Sequence, residues 1–196
     1  MKITLSINLG GYSFNIDEDA YDELRAYLRK LEQHFAGEES SSEILSDIET
    51  RIAEIFRTKL TGYRQVITMQ DVNEAVSILG NPEVIGESTG PSAGEKFSTP
   101  GYHRMYRDPD NRILGGICSG MGAYWHIEPW IIRVLFFVLT IAGGLGILVY
   151  LILWVVLPEA RTTAQKIEMK GDPVNIENIK ESVKKEVENV RKKMNI

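Results

Sequence analysis

Apolar and polar positions alternate at the start of the chain. Ile3, Leu5, Ile7 and Leu9 form one series, and Tyr12, Phe14 and Ile16 resume it after Gly10-Gly11. Two period-2 runs around a glycine pair predict a β-hairpin over residues 1–16. From Asp17 the period becomes helical. Asp17 is placed as an N-cap, and Tyr21, Leu24, Leu28, Leu31 and Phe35 make the apolar face of a helix near 18–36 that Gly37 ends. A second helix is expected from the serines at 40–42 to about Leu60, with Ile44, Ile48, Ile52, Ile55 and Phe56 inward. Gln65-Val66-Ile67 reads as a short strand. A third helix starts at Thr68, where Thr68-Met69-Gln70-Asp71 resembles a capping box; it buries Val72, Val76 and Leu79 and stops at Gly80-Asn81-Pro82. Two strands are marginal alone, so the hairpin must lie on these helices. The fold class expected is α+β, with a small soluble N-terminal domain over residues 1–87.

The pattern then changes twice. Residues 88–103 are rich in Ser, Gly, Thr and Pro without periodicity and read as a linker. From Val134 to Leu157 the chain has 24 residues and no charge. As one helix that run measures about 36 Å, against a hydrocarbon core of about 30 Å. A helix satisfies its own backbone groups in lipid, so the run predicts a membrane segment, about 131–157. Trp130, Tyr150 and Trp154 are expected near the interfaces, and Arg133 snorkels at one end. Gly143, Gly144 and Gly146 leave two outcomes open. Either they admit a close neighbour to a single kinked span, or they divide the run into halves, 131–142 and 145–157, as a re-entrant hairpin. The single span is the favoured expectation.

Between linker and span, the segment opens with Arg104, Arg107 and Arg112 and becomes a small-residue helix candidate from about Asn111 to Tyr124. Gly116 and Gly120 stand four apart, as do Gly115, Ser119 and Ala123. Such faces suit close helix packing, either with a partner or lipid surface or within the chain. Cys118 reads as a small buried residue and His126 as a turn residue before Ile127-Glu128-Pro129. The tail, 160–196, is charged. Over 175–194 it carries Ile176, Ile179, Val183, Val187, Val190 and Met194, a narrow stripe fit for oligomerisation, partner docking, an anionic bilayer, or packing back on the N-terminal module.

Charge narrows the function classes. Residues 1–100 hold 9 Lys and Arg against 17 Asp and Glu; residues 101–196 hold 13 against 10. The acidic half argues against nucleic-acid binding. The carboxylates sit beside basic residues at helical spacing, as with Asp22 and Arg25 or Glu54 and Arg57, the pattern of a solvated face. His34 has no second histidine or cysteine at i±4. Gly115-Gly116-Ile117-Cys118-Ser119-Gly120 follows no strand and has no Gly-Lys-Ser/Thr, so it is no phosphate loop. No catalytic, cofactor-binding or metal residue is expected, and no enzyme activity. One cysteine excludes an internal disulfide. The N-terminus is not a signal peptide.

Several of these residues together resemble the phage-shock-protein-C (PspC) domain: Arg104-Met105-Tyr106-Arg107, Asn111 to Gly120, Ala123-Tyr124, Ile127-Glu128-Pro129, Arg133, the glycine-broken apolar run, and Leu157-Pro158-Glu159. The likeness covers 104–159, with Glu128 where the pattern has Asp and Trp125 where it has Phe. It implies an inner-membrane protein of the envelope-stress response that senses membrane damage and relays it to cytoplasmic partners. In the best-known members these are a small membrane protein and a peripheral scaffold protein. It also implies a cytoplasmic N-terminus and no catalysis. The positive-inside count does not decide orientation, because Arg104, Arg107, Arg112 and Arg133 precede the run and Arg161, Lys166 and Lys170 follow it. The expected partners are membrane lipid, stress-response proteins and, in one alternative, further copies of the chain. A self-associating scaffold and a membrane-tethered transcription regulator are the rival readings. The residues expected to carry packing or interaction are Arg104, Arg107, Arg112, Gly115, Gly116, Gly120, Tyr124, Pro129, Arg133, Gly143 and Gly144, with the tail stripe.

Overall fold

The computed structural model describes residues 3–60, 62, 64–82 and 103–194. The linker at 88–103 lies outside them except for His103. The chain divides into two units, Met1–Thr99 with Val174–Ile196, and Pro100–Pro173.

In the first unit β1 (Thr4–Leu9) and β2 (Tyr12–Asp17) pair antiparallel, with Ile7 opposite Phe14 and Leu5 opposite Ile16. That register puts the apolar series of both strands on one face. β3 (Val66–Ile67) joins β2 in parallel, giving the order β1-β2-β3. Two helices, α1 (Glu18–Phe35) and α2 (Ser41–Lys59), cover the sheet, and α3 (Met69–Leu79) packs on both of them. Phe14 meets Phe56 edge to face at 5.7 Å, joining sheet to α2. The inward residues of α2 are those its periodicity marks, with Ala53 in addition. On α1, Leu24, Leu31 and Phe35 are buried as expected, but Ala20 and Tyr27 complete the face while Tyr21 and Leu28 are half-buried. Tyr27 turns inward because its hydroxyl finds a partner, donating to the Gly80 carbonyl at 2.9 Å. Asp17 occupies the N-cap position of α1 without a capping side-chain bond. The capping box of α3 forms: the Thr68 N–H donates to Asp71 Oδ2 at 2.9 Å, and Arg64 pairs with the same carboxylate. Glu54 pairs with Arg51 rather than Arg57, whose guanidinium lies over the Tyr12 ring.

The first unit is completed by the far end of the chain. α8 (Ile176–Met194) buries Ile176, Ile179 and Val183 against α2, leaves Val187 half-buried, and exposes Val190 and Met194. The stripe is therefore an intramolecular seam for its first two turns. Lys180 and Lys184 both reach Glu38, at 2.6 and 2.7 Å, and Arg191 pairs with Glu39. Hydrogen bonds from Lys180 and then Lys184 pull the Glu38 carboxyl from 4.5 to about 2. A depressed folded-state pKa stabilises above the ordinary value, and that contribution fades as pH falls towards the folded one. Hydrogen exchange of the α8 amides should therefore lose protection as pH drops from about 4.5 to about 2, and Glu38→Gln should flatten that dependence.

The second unit is helical: α4 (Ile117–Trp125), α5 (Pro129–Ile141), α6 (Leu145–Val156) and α7 (Thr163–Lys170). Two expectations are corrected here. The small-residue helix starts at Ile117, not Asn111, because Gly115 and Gly116 take φ of +62° and +77°, outside the right-handed helix region. The single kinked span does not form. The run breaks at residues 142–144, where Gly144 has φ +73°, and α6 folds back on α5. Phe136 stacks edge to face with Tyr150 at 5.6 Å, and a Cβ at Gly146 would meet Thr140 and Phe136. The Phe136–Tyr150 and Thr140–Gly146 pairings are symmetric about residue 143, the signature of an antiparallel helical hairpin. Among the described residues no helix is long and apolar enough to cross a membrane.

Candidate functional site

The hairpin is closed at its base by the chain on either side of it. Residues 103–108 run extended, and Arg107 forms a parallel bridge with Glu159. The Arg107 N–H donates to the Pro158 carbonyl at 2.8 Å, Ala160 N–H donates to the Arg107 carbonyl at 3.0 Å, and Arg107 Nε donates to the Leu157 carbonyl at 2.9 Å. The segment that leads into the apolar run and the one that leaves it are thus one hydrogen-bonded pair.

α4 lies on this pair through its glycines. A Cβ at Gly120 would run into the Tyr106 carbonyl oxygen, and one at Gly116 into that of Asp108. The Gly116 and Gly120 face packs against the 106–108 backbone, while Gly115, on the other small face, meets Trp154 of α6. Backbone can approach backbone only because both side chains are hydrogen. Tyr106 is buried with Ala160 and Met169, and its hydroxyl donates to Glu168 Oε2 at 3.3 Å. α7, which charge patterning alone left as tail, exists to cover that ring; Thr162 caps it and Lys166 pairs with Asp110 at 2.9 Å.

The expected residues fall into three groups. Arg104, Arg107 and Arg112 gather at the base, with Arg112 3.6 Å from Glu159. Tyr124 stacks on His103 at 4.0 Å, and Pro129 is the first residue of α5, where its missing N–H costs nothing. Gly115 lies beside the Trp154 ring, Gly143 and Gly144 form the hairpin turn, and Arg133 faces a cavity. Asp108 was not singled out by the sequence, yet it is buried and organises the turn before α4: its carboxylate accepts from Asp110 N–H and Asn111 Nδ2 at 2.9 and 3.1 Å. The Asp-Pro-Asp-Asn string was the available signal.

The hairpin is apolar outside as well as in. α5 buries only Ile132 and α6 only Gly146. Ile141 and Leu145 at the tip are 71% and 61% exposed, whereas Trp130 and Trp154 both sit at the base end. An apolar exterior this continuous marks an interaction or membrane surface.

The PspC domain family matches residues 103–160, from the extended strand to the residue that closes the base. Residues 103–160 are a PspC domain. No curated protein and no solved structure matches the chain. PspC domains are in general membrane-associated, and the domain points to a phage-shock-type stress response. The PspC match ends at the structural closure: Ala160, its last residue, is hydrogen-bonded to Arg107 near its start.

Proposed function

We propose that the protein is an inner-membrane sensor and adaptor of the envelope-stress response, held in one leaflet by the PspC hairpin and acting through protein contacts rather than catalysis. The observation that carries this reading is the closed base of an uncovered apolar hairpin. Each arm is about 20 Å long at about 1.5 Å per residue, short of the roughly 30 Å hydrocarbon core. The hairpin enters lipid by its tip, and both flanks stay on the side from which it entered. Two further features support this. Trp130 and Trp154 lie together at the base, as one aromatic belt requires. Residues from before and after the hairpin, α2 and α8, pack in the same unit. The basic residues of both flanks then add on one side, which supports the cytoplasmic side.

In the proposed mechanism, loss of lipid packing changes how deeply the hairpin sits and so the exposure of the base and of α4 to protein partners. Topology is the first test. In a Cys118→Ala background, Glu43→Cys and Asp172→Cys should both resist a membrane-impermeant maleimide in intact cells and both react after permeabilisation. Labelling of Asp172→Cys alone in intact cells rejects the one-sided arrangement. Co-purification from native membranes with and without stress tests the relay, since an inert scaffold keeps one set of partners.

A further inference from the structure

Between the hairpin and the turn preceding α4 lies a cavity of about 360 Å³, within the range of small-molecule sites. Phe136, Phe137, Ile147 and Leu151 supply apolar walls, and Arg133 is the one charged residue on it. The other polar side chains there are already engaged. Ser119 Oγ donates to the Gly116 carbonyl at 3.2 Å, Thr140 Oγ1 to the Phe136 carbonyl at 2.8 Å, and the Tyr150 hydroxyl to the Leu114 carbonyl. Arg133 is half-buried and has no carboxylate partner among the described residues. Arg133 also borders a second cavity lined by Asp108, Glu128 and Asp172, but none of these carboxylates pairs with it, and its planar fork fits a phosphate.

We infer that this cavity is a site for an anionic phospholipid, with the phosphate on the Arg133 guanidinium and an acyl chain along Phe136, Phe137, Ile147 and Leu151. The inference rests on the membrane-inserted hairpin proposed above and adds selectivity to it. The charge balance chooses the lipid class. A zwitterionic headgroup brings its own ammonium close to Arg133, whereas an anionic one leaves the phosphate charge for Arg133 to neutralise. The tip of the hairpin explains attachment to any bilayer; the cavity makes the domain respond to which lipids surround it.

The test uses the full chain carrying Trp125→Phe and Trp130→Phe, so that Trp154, beside Gly115 at the turn before α4, is the only tryptophan and is excited selectively at about 295 nm, beyond tyrosine absorption. Dibrominated phosphatidylglycerol as a minor component of phosphatidylcholine vesicles should quench Trp154 more than the same share of dibrominated phosphatidylcholine. Arg133→Gln should weaken that selective component about tenfold, the loss of a charged hydrogen-bond partner, and Arg133→Lys, which keeps the charge but not the fork, should fall between Arg133→Gln and the unmodified arginine. Equal quenching by the two lipids, or an unchanged excess in Arg133→Gln, overturns the site. Vesicles made wholly of dibrominated phosphatidylcholine report insertion alone and should quench every variant. If they do not, the inserted hairpin itself is wrong, and the site falls with it.

Discussion

Gly120→Ala is expected to open the base of the PspC hairpin at a cost of about 3 kcal/mol or more, a large effect for one methyl group. The added Cβ would collide with the Tyr106 carbonyl oxygen and lie 3.1 Å from its carbon and 3.3 Å from Arg107 Cα. All three are backbone atoms, and Arg107 is pinned on both its N–H and its carbonyl by Pro158 and Ala160. Nothing there can rotate away, so either α4 lifts or the paired strands separate. Hydrogen exchange on the full chain in mild detergent should show lost protection at Arg107 and Ala160, while α1 and α2 in the other unit keep theirs. Gly37→Ala is the matched control, because a Cβ there meets nothing within 4 Å. Equal protection in Gly120→Ala and the unmodified chain would mean that α4 does not rest on the 106–108 backbone.

Much of the first unit was legible because its signals are local. Period-2 and period-3.6 runs located β1, β2 and the three helices, and Thr68 with Asp71 announced the start of α3. Tyr27 escaped because its place in the core depends on Gly80, 53 residues away, accepting its hydroxyl. The stripe on α8 was visible as a stripe, but periodicity shows that a face is covered and not by what; α2 covers it. In the second unit the signals mislead for a common reason. The glycines at 115 and 116 look helical in their setting, those at 143 and 144 leave a break open without requiring it, and the positive φ at 115, 116 and 144 is set by tertiary structure. Composition identified the 134–157 run as apolar without saying whether it crosses or returns. That was decided by Arg107 meeting Pro158 and Ala160, a pairing with no periodic trace in the sequence. α7 was hidden too, since its burial follows from the Tyr106 ring it covers.

Combining Gly143→Ala, Gly144→Ala and Gly146→Leu is expected to convert the hairpin into a continuous span and move the residues after it across the membrane. Each part of the change acts on a different restraint. At Gly144, φ +73° becomes a left-handed residue with a side chain, costing about 1–2 kcal/mol in the turn. In a straight helix, alanine at 143 and 144 instead gains about 1 kcal/mol per site over glycine. A leucine at 146 cannot share the space of Thr140 Oγ1 and the Phe136 carbonyl, which a Cβ alone already invades. The straightened run is long enough for the hydrocarbon core, and its basic flanks are too evenly matched to forbid crossing. In intact cells Asp172→Cys should then pass from protected to labelled in most molecules, while Glu43→Cys stays protected. The seam of Ile176, Ile179 and Val183 should lose α2 and its exchange protection, since the two now lie on opposite sides. Gly143→Ala alone should change neither readout, because Gly143 has an ordinary φ and open space around it. Should the triple variant keep both cysteines protected, the turn glycines are not what folds the run back, and the hydrogen bonds at the base must hold the hairpin without them.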